Sequence, residues 1–99
     1  MSELLLEKNI LITGATSGIG HELAKSFALK GANIILLGKN EKKLDSLYDE
    51  ISLHGGKNLI IKSDLRELND EGSIQISNEI RKYYNNIDGL IHNAAILGS

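Results

Sequence analysis

Ninety-nine residues, 41% of them hydrophobic and 24% charged, fit one globular domain at most, near the lower end of common domain sizes. A formal net charge of -2 gives no electrostatic case for nucleic acid or an anionic membrane as partner, and the lack of cysteine excludes disulfides and thiolate metal sites. His21, His54 and His92 lack the spacing of a zinc site. Residues 1–8 hold three consecutive leucines without a basic flank before them, so neither a signal peptide nor a membrane span is expected, and the default location is cytoplasmic.

Taken in order, the chain opens with an apolar run at Asn9, Ile10, Leu11 and Ile12 that predicts a strand over residues 8–13. A helix is expected over 18–30, with Ile19, Leu23 and Phe27 at helical spacing and Ala24 and Ala28 beside them; Gly31 stands where a glycine cap would end it. Ile34, Ile35, Leu36 and Leu37 form a short β-branched run, read as the second strand. Asn40 then suits an N-cap, and Leu44, Leu47, Tyr48 and Ile51 recur at helical spacing before Gly55 and Gly56. A third strand is expected over 59–62, followed by a polar turn over 63–69. A third helix is expected over about 70–84, its apolar face carried by Ile76, Ile80 and Tyr83 with Ile87 beyond, and a fourth strand over 89–92. No proline, repeat or linker divides the chain, so residues 1–99 read as part of a single domain.

The order β-α-β-α-β-α-β, with apolar strands that do not alternate, argues for a parallel sheet covered on both faces. Right-handed crossovers put the first two helices on one face. If the third connection passes back over the first strand, the strand order becomes 3-2-1-4, the doubly wound Rossmann type, with a switch point at the C-terminal ends of strands one and four.

Between the first strand and the first helix, residues 13–20 read Thr-Gly-Ala-Thr-Ser-Gly-Ile-Gly. A strand, a glycine turn and a helix in that order build an anion site, because the helix N-terminus offers unpaired N–H groups and the positive end of its dipole. Gly14 permits the sharp turn, Gly18 permits close approach of a pyrophosphate, and Gly20 permits the helix to pack on the strand. The bare string is equally compatible with a flexible loop; the flanking strand and helix favour the phosphate reading. No Lys-Ser or Lys-Thr follows, so this is not a Walker loop.

Together with two downstream features, this loop resembles the short-chain dehydrogenases/reductases. Residues 13–20 match the family's T-G-x-x-x-G-x-G loop, and Asp64-Leu65 match its acidic position after the third strand. His92-Asn93-Ala94-Ala95 is similar to its N-N-A-G motif, with two departures: His92 for the first Asn and Ala95 for Gly. Leu37-Gly38-Lys39-Asn40 and the run from Asp88 to Ala94 look most like the YciK-type bacterial members. The resemblance implies a nicotinamide dinucleotide held by Thr13, Gly14, Thr16, Ser17, Gly18, Ile19, Gly20, Gly38, Lys39, Asn40, Asp64, Leu65, Asn93, Ala94 and Ala95. Asp64 would then touch the adenine amino group; taken alone it would read as a turn-forming Asp, and the loop together with Asn93 favours the adenine contact. Asn93 would shape the cofactor site as well as tie the fourth strand to its neighbours.

Cofactor choice turns on the residue after the second strand, where a carboxylate bonds the ribose 2′-hydroxyl of NAD and a basic residue suits the 2′-phosphate of NADP. Here Gly38 and Lys39 occupy that place and the first carboxylate is Glu41, which favours NADP(H) over NAD(H). The competing reading makes Lys39 one solvated lysine beside Lys42 and Lys43. His21 reads as a surface residue, and Tyr48, Tyr83 and Tyr84 as core or rim packing.

The resemblance further implies hydride transfer between nicotinamide and a carbonyl or alcohol, with a Ser, a Tyr and a Lys four residues after the Tyr as the catalytic set. Tyr48, Tyr83 and Tyr84 are followed four residues on by Ser52, Ile87 and Asp88, so none fits, and no residue here is expected to be catalytic. The expectation is the dinucleotide-binding half of an NADP-dependent oxidoreductase, inactive alone. The alternative is a non-catalytic NADP(H)-binding module, or a remnant, that pairs with itself or a partner chain through the fourth strand. One face of the sheet, covered by a single helix, should then expose apolar surface.

Overall fold

The computed structural model describes residues 4–14, 18–63 and 69–92. In chain order these form β1 (Asn9–Thr13), α1 (Gly18–Leu29), β2 (Asn33–Gly38), α2 (Glu41–Ser52), β3 (Leu59–Lys62), α3 (Asp70–Arg81) and β4 (Gly89–His92). The four strands make one parallel sheet in the order β3-β2-β1-β4. β1 and β2 pair from Asn9 with Asn33 to Thr13 with Leu37, while β4 enters one residue later, with Gly89 opposite Ile10 and His92 opposite Thr13. The expected doubly wound arrangement is therefore the observed one.

The helix boundaries follow local chemistry. Asn40 caps α2, its side-chain Oδ1 accepting from the Lys43 N–H at 3.1 Å, and Asn69 caps α3 in the same way through Gly72 N–H at 2.8 Å. Gly31 ends the α1 region at φ 94°, a left-handed conformation that a side chain resists.

Two helices cover one face of the sheet and one covers the other. Ile10, Ile12, Ile34 and Leu36 pack with Ala24 and Ala28 of α1 and with Leu44, Leu47 and Ile51 of α2. On the second face, Ile35 packs with Ile80 and Tyr84, bordered by the half-buried Leu11, Leu59, Ile61 and Ile76. Leu90 of β4 is exposed, and so the side covered by α3 alone does carry uncovered apolar surface among the described residues.

Two expectations about the buried faces are corrected. The fully buried face of α1 is Gly20, Ala24 and Ala28, four residues apart, with Phe27 half-buried and packed against the same core; Leu23 is half-buried and Ile19 is exposed. Small side chains let the helix backbone lie close to the strands, so that the larger residues are displaced to its flanks. In the second case α3 ends at Arg81, three residues short of the expected 84, and the chain turns before reaching Tyr83. That turn leaves Tyr83 55% exposed and brings Tyr84 inward to 6%. Tyr84 continues the four-residue spacing of Ile76 and Ile80, and its N–H still donates to the Ile80 carbonyl at 3.0 Å.

A polar lattice closes the N-terminal ends of the strands. Asn9 is buried; its Nδ2 donates to the Asn86 carbonyl and its Oδ1 accepts from Asn33 Nδ2, both at 2.8 Å. The Asn9 N–H donates to Asp88 Oδ2 at 2.8 Å, and the Asp88 N–H returns a bond to the Asn9 carbonyl at 2.7 Å. Asn33 Oδ1 accepts from Lys57 N–H at 2.7 Å, and Asn58 Oδ1 accepts from Ile34 N–H at 2.9 Å. Each strand start is thereby tied to a neighbour by side chains, in a way consistent with the stagger of the ladder. Tyr84 joins the same end by donating its hydroxyl to the Lys57 carbonyl at 2.8 Å. Burial in this setting, with the nearby Tyr48 as a lesser cause, pushes its phenol up to about 12.

Candidate functional site

With the N-terminal ends of the strands clamped, their C-terminal ends come level on the opposite edge of the sheet. Thr13, Gly38, Lys62 and His92 are the last residues of the four strands, and this is the edge at which open α/β sheets bind ligands. Thr13 is buried there, and its Oγ1 donates to the Ile91 carbonyl at 3.3 Å, holding β1 to β4 beside the crossover point. Beyond it Gly14 turns the chain in the left-handed region, at φ 63°.

The first helix begins at Gly18, which is exposed, and no described atom lies within 4 Å of where a Cβ would stand. Two residues on, Gly20 is buried against the sheet. The helix thus starts with an open backbone and continues with a closed one. Its N-terminus carries the positive end of the helix dipole, which favours a nearby negative charge. That fits the phosphate-bearing part of a dinucleotide.

At the end of β2, Gly38 is buried and Lys39 and Asn40 are exposed. A Cβ on Gly38 would stand 3.4 Å from Leu44 Cδ2, inside a fully buried leucine of α2. A methyl here would sit in close van der Waals contact with that leucine. The Asn40 side chain is occupied in capping α2, so its contribution to a ligand would come from its backbone or its remaining amide. Glu41 opens α2, and its Oε1 pairs with Lys62 Nζ at 3.4 Å. In the sequence Glu41 stood out as the first carboxylate after β2, but Lys62 was not identified as its partner. The available signal was the period of two along β3, which puts Lys62 on the same sheet face as Ile60, the face that α2 covers.

Of the residues implied by the resemblance, the structure brings together Thr13, Gly14, Gly18, Ile19, Gly20, Gly38, Lys39 and Asn40 along this edge. Thr16, Ser17, Asp64, Leu65, Asn93, Ala94 and Ala95 lie outside the described residues. His21 sits on α1 with Nε2 3.3 Å from Glu50 Oε1, and Lys25 Nζ lies 3.5 Å from Glu50 Oε2; these pairs link α1 to α2 at the surface. Tyr84, whose phenol is the shifted group, belongs to the other end of the strands and so does not serve this edge. No helix among the described residues is long and apolar enough to cross a membrane.

Comparison with known proteins gives the same frame. A family model for short chain dehydrogenases matches residues 8–99. The chain is 39% identical over 99 residues to the uncharacterized oxidoreductase YciK of Escherichia coli K12, covering 97% of this chain and 38% of that protein. Among solved structures, a short chain dehydrogenase from Shigella flexneri 2a complexed with NADP superposes with a TM-score of 0.88 at 37% identity, over 94% of this chain and 39% of that one. A short chain dehydrogenase from Escherichia coli CFT073 complexed with NADPH gives the same TM-score, identity and coverage. The sequence thus spans well under half the length of the relatives it matches.

Proposed function

Because the chain belongs to the short-chain dehydrogenase family, we propose that it is the cofactor-binding part of an NADP(H)-dependent oxidoreductase. The observation that carries this reading is the open backbone at Gly18, set between the turn at Gly14 and the packed Gly20. In this reading Thr13, Gly14, Thr16, Ser17, Gly18, Ile19 and Gly20 surround the pyrophosphate, and Gly38, Lys39 and Asn40 receive the adenosine ribose. Asp64 and Leu65 flank the adenine, and Asn93, Ala94 and Ala95 border the nicotinamide ribose. The exposed Lys39, with no carboxylate before Glu41, supports NADP over NAD. So do the NADP and NADPH carried by the two similar structures.

The bound cofactor would supply hydride chemistry, and these residues bind and orient it. No Tyr in residues 1–99 has a Lys four positions later, so none of these residues is assigned the proton transfer. A cytoplasmic location accompanies this reading.

Gly18→Ala separates binding from folding. Gly18 is the first residue of α1 and has free space beside it, so alanine leaves stability within about 0.5 kcal/mol. The new methyl stands where a pyrophosphate must approach, and NADPH affinity should fall on the order of tenfold or more. Titration of NADPH fluorescence with the full-length protein reads this directly; unchanged affinity in a folded variant would remove the site from this loop.

A second reading, a non-catalytic NADP(H)-binding module that completes its sheet through β4, draws support from the exposed Leu90 and from β4 pairing only with β1 among the described residues. Light scattering after size exclusion distinguishes the two. A dimer of the 99-residue chain that dissociates on Leu90→Lys favours the module, and a monomer disfavours it.

A further inference from the structure

We propose that the Asp88–Gly89 peptide is a latent isoaspartate site, kept unreacted in the folded protein by Asn9 and Asn86, and that its conversion shifts β4 against β1. Of the aspartates and asparagines in the sequence, Asp88 alone precedes a glycine. A glycine N–H has no side chain beside it, so it can approach the carboxyl carbon of the residue before it. Asp88 is exposed and stands at the entry of β4, directly before its first residue. Its N–H donates to the Asn9 carbonyl at 2.7 Å, and successive N–H groups along a strand face opposite edges. The Gly89 N–H therefore faces away from β1, and pairing with β1 does not engage it.

What the fold restrains is the carboxyl group. Asp88 Oδ2 accepts from the Asn9 N–H at 2.8 Å and Oδ1 accepts from Asn86 Nδ2 at 3.0 Å, so both oxygens are held. Asn86 is held in turn, its carbonyl accepting from Asn9 Nδ2 at 2.8 Å. Reaction requires the carboxyl group to leave these donors. The Gly89 nitrogen bonds to Cγ, and one oxygen of the protonated carboxyl departs as water with the amide proton, leaving a succinimide ring. Water then adds back: breaking the bond from nitrogen to Cγ returns Asp88, and breaking the bond from nitrogen to the main-chain carbonyl carbon routes the backbone through Cβ. The isomer holds the same atoms as the parent, and water is the sole co-reactant. It lengthens the main chain by one methylene between Asp88 and Gly89. Beyond that point Gly89 to His92 pair with Ile10 to Thr13, and the Ile91 carbonyl accepts from Thr13 Oγ1 at 3.3 Å. The added length falls ahead of all these contacts, so they cannot all be kept, and cofactor binding at the end of β4 suffers. That last consequence rests on the NADP reading above; the chemistry at Asp88 does not.

The experiment follows isoaspartate at residue 88 of the full-length protein at neutral pH, by enzymatic methylation of isoaspartyl groups and by fragment-ion mapping of the peptide. In urea, residue 88 should convert faster than the other aspartates, and in the folded parent it should fall far behind that rate. Asn86→Ala removes one of the restraining bonds and should raise the folded rate on the order of fivefold, the value of about one hydrogen bond, while leaving the rate in urea unchanged. Gly89→Ala, whose Cβ would stand 3.6 Å from Ile10 Cγ1 in ordinary contact, should keep the fold and suppress conversion, alone and combined with Asn86→Ala. Ile51→Val loosens the core under α2 and leaves the Asp88 bonds in place, so at equal loss of stability it should raise the folded rate less than Asn86→Ala. An equal rise would reduce the guard to global unfolding and overturn it. No excess conversion at residue 88 in urea would overturn the site itself. Converted and unconverted protein are then separated and titrated with NADPH. Equal affinity would overturn the effect on β4, and a parent that fails to bind NADPH would overturn the cofactor reading while leaving the site and its guard standing.

Discussion

The polar lattice at the N-terminal ends of the strands makes a quantitative demand on Asn9. Replacing Asn9 by alanine removes the bond from its Nδ2 to the Asn86 carbonyl and the bond it accepts from Asn33 Nδ2. Each is worth about 1 kcal/mol net in a folded protein. The Asn86 carbonyl belongs to an exposed residue and can turn to water, whereas Asn33 is only half-exposed and loses an acceptor for one amide hydrogen, adding up to about 1 kcal/mol. The expected cost is therefore about 2–3 kcal/mol, a large share of the 5–15 kcal/mol typical of a domain. In urea unfolding followed by circular dichroism, that moves the midpoint down by about 1–2 M with little change in slope. Asn33→Ala should cost a similar amount, since it removes the same shared bond and the acceptor for Lys57 N–H. Because the bond is shared, the double variant should be less destabilised than the sum by about 1 kcal/mol. A cost below about 0.5 kcal/mol for Asn9→Ala, or strict additivity, would refute the claim that these side chains tie the strand starts together. Nucleotide affinity of the folded variants should be unchanged, as the lattice lies at the far end of the strands.

Two more tests address single positions. The Tyr84 phenol is raised from its ordinary 10 to about 12, so the folded state favours the protonated form. Its contribution is full below pH 10 and is lost as pH rises from 10 to 12, where the unfolded chain releases that proton first. The 295 nm difference titration between the parent and Tyr84→Phe should show one phenol ionising near 12; a difference centred near 10 would contradict this. At Gly31, alanine meets both a left-handed φ of 94° and the Leu6 Cα at 3.2 Å from its Cβ. The variant should lose about 2 kcal/mol or more, read as a drop in melting temperature, and an unshifted transition would show that the turn relaxes freely.

Much of the fold was legible because it is written at short range. The apolar runs at 34–37 and 59–62, the N-cap at Asn40 and the glycine at 31 depend on a few consecutive residues, and each stands where the local pattern put it. The glycine loop was legible for the same reason: turn, open backbone and close packing are properties of Gly14, Gly18 and Gly20 in sequence. The roles of Ile19 and Tyr83 were not. Helical spacing identifies a stripe of apolar residues, yet which side of the stripe faces the sheet depends on how near the backbones can approach, and Gly20, Ala24 and Ala28 win that choice by being small.

What the sequence determined by itself is the order of elements, the parallel sheet covered on both faces and the resemblance to the short-chain dehydrogenase family; the strand order followed only on the condition that the third connection passes back over β1. What the tertiary structure decided is every relation between residues far apart in the chain. Asn9 meets Asn86 across 77 positions, Tyr84 meets Lys57 across 27, and Lys62 meets Glu41 across 21. None of these residues announces its partner, since Asn, Lys and Glu are ordinary solvated side chains until the sheet brings them together. Periodicity records whether a residue is buried along one element; hydrogen bonds and charge pairs need two elements placed in a common register, and that register exists only once the strands are packed.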